Sequence, residues 1–108
     1  MRRRGISISS SGSNTIIAAP GAGKCIYIDH INLFPSNSLN VQLWNGPSST
    51  GTALSGVYPL TTGQALVFEN SPQLEHGILE CSDNKAFVIN LGSAVSCTGF
   101  LRYRIQNE

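Results

Sequence analysis

Charge is what this sequence has least of. Only 12% of its 108 residues are Asp, Glu, Lys or Arg, and Ser, Asn, Thr and Gly supply most of the polarity instead. Charged residues are depleted where proteins meet, so a weakly ionic exterior predicts an oligomer or a docked subunit rather than a free monomer. Histidine is equally sparse, at two residues, His30 and His76. Cys25, Cys81 and Cys97 are odd in number and lack CxxC spacing, which predicts reduced, buried thiols packing as small apolar groups. No apolar run approaches the roughly 20 residues of a membrane span. Met1-Arg-Arg-Arg4 continues into Gly and Ser instead of an apolar segment, so the sequence predicts a protein used without secretion.

The formal charge of +1 conceals an uneven distribution. Arg2, Arg3 and Arg4 hold three of the seven basic residues, leaving four basic against six acidic, a balance of −2 for the rest. The sequence therefore divides into a basic N-terminal arm, residues 1–5, and a single β-sandwich domain, residues 6–108. A mildly acidic body offers no patch for neutralising phosphates, so direct nucleic-acid binding is not expected. The arm is read either as a solvated terminus or as a docking element.

What is present is strand. Lys24-Cys-Ile-Tyr-Ile-Asp-His-Ile-Asn-Leu-Phe34 is the longest β-forming run, entered through the breaker Pro20-Gly-Ala-Gly23. Its apolar parity changes midway: Ile26 and Ile28 share one face, Ile31 and Leu33 the other. Either both faces are buried or a β-bulge at Asp29-His30 resets the register, and the bulge is the preferred reading. His30 then reads as a structural residue rather than a ligand. Further strands are expected over residues 6–10, 15–19, 39–45, 52–58, 64–70, 78–82, 86–91 and 98–106. In the strand 39–45, Leu39, Val41 and Leu43 point inward and Asn40, Gln42 and Trp44 outward; in the last strand Leu101, Tyr103 and Ile105 point inward, with Arg102, Arg104 and Gln106 outward. Trp44 either covers the edge of the core or makes an intersubunit contact. About eight short strands between frequent turns, with no amphipathic helix, indicate a small antiparallel β-sandwich of jelly-roll type.

Catalytic patterns are scarce. Gly21-Ala-Gly-Lys24 lacks the first glycine of a phosphate loop, has Cys25 where Ser or Thr would bind magnesium, and leads into a strand rather than a helix. The carboxylates Asp29, Glu69, Glu75, Glu80, Asp83 and Glu108 show no spacing that pairs two across a cleft. Glu75-His76 near Ser71 is the closest approach to acid/base machinery, but adjacent side chains diverge, which argues against a triad. No enzyme activity and no cofactor are expected.

Ile17-Ala-Ala-Pro-Gly-Ala-Gly-Lys24, Val41-Gln-Leu-Trp-Asn45, Thr62-Gly-Gln-Ala-Leu66 and Gly99-Phe-Leu-Arg-Tyr103, set in this strand order, resemble small structural proteins of tailed bacteriophages. In particular the span from Thr15 to Ile105 resembles the jelly-roll cement, or head-decoration, proteins of the outer capsid; residues 1–5 lie outside the pattern. The resemblance implies a homotrimer on the outer surface of a virion assembled in the host cytoplasm, with the major capsid protein as partner and no membrane or direct nucleic-acid contact. Arg2, Arg3, Arg4, Trp44, Arg102 and Arg104 are the candidate interface residues. The alternative is a carbohydrate- or receptor-binding module of a phage fibre, with Trp44, Tyr58 and Tyr27 as its aromatic platform.

Overall fold

Period-two alternation between Gly-, Pro- and Asn-rich turns becomes strand along the chain. The computed structural model describes residues 2–46, 51–62, 64–69, 79–81 and 84–107, and of Arg2, Phe68, Glu69 and Glu80 the backbone alone. Among these residues there is no helix. The strands are β1 (Arg2–Ile8), β2 (Gly12–Ile17), β3 (Lys24–Pro35), β4 (Leu39–Asn45), β5 (Thr52–Ala53), β6 (Tyr58–Leu60), β7 (Leu66–Glu69), β8 (Leu79–Glu80), β9 (Phe87–Leu91) and β10 (Cys97–Asn107).

They form two antiparallel sheets. Sheet A has the order β1-β10-β3-β7, with β8 also on β3; sheet B has the order β2-β9-β4-β5, with β6 also on β4. Since β7 and β8 share the edge of β3, and β5 and β6 that of β4, the ten segments fill eight strand positions. The chain crosses between sheets in the sequence of a jelly roll. Within the strand expected over 52–58, residues 54–57 break away from the ladder, and there the Ser55 hydroxyl accepts the Leu43 N–H at 3.1 Å. The expected loop Ser71–Gly77, with its Ser71, Glu75 and His76, lies outside the described residues, as do Ile78, Asp83 and the loop residues 47–50.

The core lies between the sheets. Ile26, Ile28, Ile31 and Leu33 of β3 and Leu101 of β10 meet Val41 and Leu43 of β4 and Phe87, Ile89 and Leu91 of β9, none more than 1% exposed. Each such side chain contributes about 1.5–3 kcal/mol by leaving water. Four isoleucine and leucine side chains of β3 reach one core despite their parity change because Asp29 is an extra residue. Arg102 pairs with His30 and the next residue, Tyr103, with Ile28, so the bulge falls at Asp29. A second irregularity lies in β2, where Thr15 pairs with Val88 but Ile17 with Phe87; the skipped Ile16 and Ile17 are both buried in the same core.

The Pro-Gly corner before β3 is held from outside. Gly21 (φ 113°) and Gly23 (φ 79°) adopt conformations that side chains resist. Gly21 N–H donates to Asn84 Oδ1 at 2.9 Å, and Asn84 N–H donates to the Lys24 carbonyl at 2.9 Å. Asn84 itself is left-handed, at φ 52°, which asparagine tolerates better than most residues.

The N-terminus departs from the division made on charge. Arg2 to Gly5 belong to β1 and pair with residues 100–103 of β10, Arg2 opposite Tyr103 and Gly5 opposite Phe100. The strand expected to begin at Ile6 begins four residues earlier, because the long β10 offers a free edge whose hydrogen-bonding groups these residues satisfy.

Candidate interaction surface

The outer face of sheet A gathers most of the cationic candidates. Strand pairing lays it out in rows. Arg3 of β1, Arg102 of β10 and His30 of β3 form one row; Gly5, Phe100, Asn32 and Val67 form the next; Ser7, Thr98 and Phe34 form a third. Beyond the bulge, Arg104 stands opposite Tyr27.

Several contacts across strands lock these rows. The Arg3 guanidinium lies 5.3 Å from the centre of the Phe100 ring, and the His30 ring stacks on Phe100 at 5.1 Å with a 23° tilt. Phe100 N–H donates to Asn32 Oδ1 at 2.9 Å. Asn32 and Gly99 approach closely at this point, so that a Cβ on Gly99 would stand 2.9 Å from the Asn32 carbonyl carbon and nearer still to its oxygen. Arg104 Nε donates to Asp29 Oδ2 at 2.9 Å, with its guanidinium 5.6 Å from the centre of the Tyr27 ring. The carboxylate pushed outward by the bulge is thereby matched with a cation. Tyr27, Asp29 and His30 are buried on this outer side.

Two features remain turned to solvent. Phe34 and Val67 are 50% and 49% exposed, diagonal neighbours across Asn32. Arg3 and Arg102 are exposed directly opposite each other.

The other candidates are distributed differently. Arg4 is exposed opposite Leu101, and the backbone of Arg2 pairs with Tyr103. Trp44 is on the far side of the sandwich, on the outer face of sheet B. It is half-buried opposite the fully buried Val88, and its indole N–H donates to Gln42 Oε1 at 3.2 Å. Gln42 in turn donates from Nε2 to the Ser55 carbonyl at 3.0 Å. Tyr58 packs against the core and Tyr27 lies under Arg104, so the three rings do not share one platform. The sequence does not mark Asp29, Phe100, Phe34 or Val67 as surface residues. The parity change did point to Asp29 and His30, but nothing local marks Phe100 as the ring joining three strands.

A shallow groove of about 340 Å³ at the end of sheet B is lined by Ser38, Asn40, Pro59, Leu60, Thr61 and Ser93 among others, without an ionisable side chain. Among the described residues no three His, Cys, Asp or Glu side chains gather as metal ligands. Cys25, Cys81 and Cys97 are buried thiols outside any disulfide, and burial pushes the Cys97 thiol up, away from the reactive thiolate.

No protein-family model matches the chain, and no curated protein matches it in sequence. Its structure does have a likeness. It is similar to a solved chain from Bacillus endospore appendages, described as forming a novel family of disulfide-linked pili, with a TM-score of 0.57 and 15% identity over 98% of this chain and 84% of that one. At that identity the likeness shows the fold alone: an all-β sandwich.

Proposed function

We propose that this chain is a structural protein of a bacteriophage virion, a cement protein that binds the outer capsid surface as a homotrimer and stabilises the shell without turnover. The observation that carries the reading is the outer face of sheet A, where exposed Phe34 and Val67 share one face with exposed Arg3 and Arg102 on a cross-linked sheet. Such a face suits docking. The motif resemblance to head-decoration proteins and the jelly-roll strand order support it. A cement protein works by burying surface shared between neighbouring capsomers, so junctions of about 1,000 Å² repeated over a lattice oppose their separation.

The solved pilus chain is a precedent for a similar fold in a multi-subunit assembly. Disulfide linkage is not carried over, since all three cysteines here are buried thiols outside any disulfide. The fibre-module alternative is less well supported, because Trp44 has its N–H occupied by Gln42 and stands apart from Tyr27 and Tyr58.

The test is co-sedimentation of the purified chain with phage shells lacking it, together with light scattering. Trimers binding at fixed stoichiometry are expected. A monomer that leaves every shell unbound would defeat the proposal.

A further inference from the structure

Two arginines placed face to face across a strand pair call for an explanation. Directly opposite positions bring Cβ atoms to about 4.5–5.5 Å, and like charges there repel. β1 and β10 hold Arg3 against Arg102 in this way. The only nearby carboxylate among the described side chains, Asp29, is engaged by Arg104. Arg3 rests on Phe100 and Arg102 is exposed, and neither has an ion pair among the described residues. The next rows of the same face present Phe100, Val67 and Phe34, the last two about half exposed. A pair of cations therefore shares one face with an apolar patch, with Phe100 between them.

We propose that this face docks a protein surface on which carboxylates stand to one side of an apolar side chain, with Arg3 and Arg102 receiving the carboxylates and Phe34 and Val67 the apolar group. Guanidinium groups suit this role because they bind carboxylates bidentately and are weakly hydrated. Nucleic acid fits less well. Apart from Arg2, Arg3 and Arg4 the chain carries four basic against six acidic residues, which gives no extended track for a phosphate backbone. The Phe100 ring, moreover, is already occupied by Arg3 and His30, leaving it unable to stack a base. The inference rests on the docking-subunit reading, and it supplies the face and the partner's chemistry.

The experiment titrates the full chain by NMR with an acidic peptide, two glutamates followed at a short spacing by a phenylalanine, and in parallel with oligothymidylate. Sedimentation over a concentration series tests self-association. The variants are Arg3→Ala/Arg102→Ala on the face and Trp44→Ala on the opposite sheet. Peptide binding that perturbs Phe34 and Val67, weakens in about 0.3 M salt as screening requires, falls about tenfold or more in the arginine variant and survives in Trp44→Ala is the expected result. Equal binding by wild type and arginine variant, or no binding by either, overturns the proposal. So does tighter binding of oligothymidylate than of peptide, or self-association abolished by the arginine variant, which would make the face an interface between copies. Peptide binding as expected, combined with failure to sediment with any shell, would remove the phage reading and leave this inference standing.

Discussion

Arg104 Nε lies 2.9 Å from Asp29 Oδ2, joining the last strand to the one residue that the bulge adds to β3. The extra residue keeps Ile26 and Ile28 on the same side as Ile31 and Leu33. It also drives a carboxylate into a site only 4% exposed, and Arg104 offsets that burial.

The pair is asymmetric, since the Arg104 side chain retains 24% exposure. Arg104→Leu should cost about 3 kcal/mol, because it removes the cation paired with a buried carboxylate. Asp29→Asn should cost less, about 1–2 kcal/mol, since the arginine can turn to water. Urea unfolding of both variants and of the double variant measures the difference. The double variant is expected to recover part of the Arg104→Leu loss, and an equal cost for both single variants would contradict the asymmetry.

Gly99→Ala should destabilise by about 1–3 kcal/mol, the range for forcing atoms into a packed site. The neighbour it meets is backbone, the carbonyl of Asn32, which cannot swing aside. Thermal unfolding checks the cost, and Gly5→Ala is the control: a Cβ there has nothing within 4 Å.

Removal of residues 1–5 should lower stability by about 2 kcal/mol, a few ladder hydrogen bonds at roughly 1 kcal/mol net each. Hydrogen exchange should accelerate along residues 100–103 of β10, whose partners are lost. A truncated protein with unchanged denaturant midpoint and unchanged exchange would show that these residues contribute no pairing in solution.

Cys97 links stability to alkaline pH. Burial raises its pKa above the ordinary thiol value of 9.0, so the folded state holds the proton more tightly than the unfolded state does. The stabilisation is fully present below pH 9 and is lost as pH rises through the higher folded value. Stability of the wild type should therefore fall more steeply above pH 9 than that of Cys97→Ala, measured as a difference between paired denaturation curves. Parallel curves would contradict it.

The surface was legible only in fragments. Alternation in Thr98 to Gln106 marks Arg102 and Arg104 as outward, and both are outward, but their fates diverge because Asp29 lies within reach of only one. The triplet Arg2-Arg3-Arg4 reads as an arm, solvated or docked, since three adjacent charges carry no strand signal. Pairing with β10 makes it an edge strand and places Arg3 on Phe100. Trp44 is correctly read as pointing away from the core, yet its bond to Gln42 depends on the rotamers of two residues that sequence does not specify.

By itself the sequence determined an all-β sandwich: period-two alternation leaves only strands able to bury these side chains, and the spacing of turns limits their length. The parity change in β3 narrowed the choice to a bulge or a strand buried on both faces, because side-chain direction alternates strictly along a strand, and the pairing with β10 places the bulge at Asp29. Only the tertiary structure decided which residues meet. Arg3, Phe100 and His30 are separated by tens of residues, and so are Asp29 and Arg104. They meet because β10 inserts between β1 and β3, a long-range pairing that no local pattern encodes.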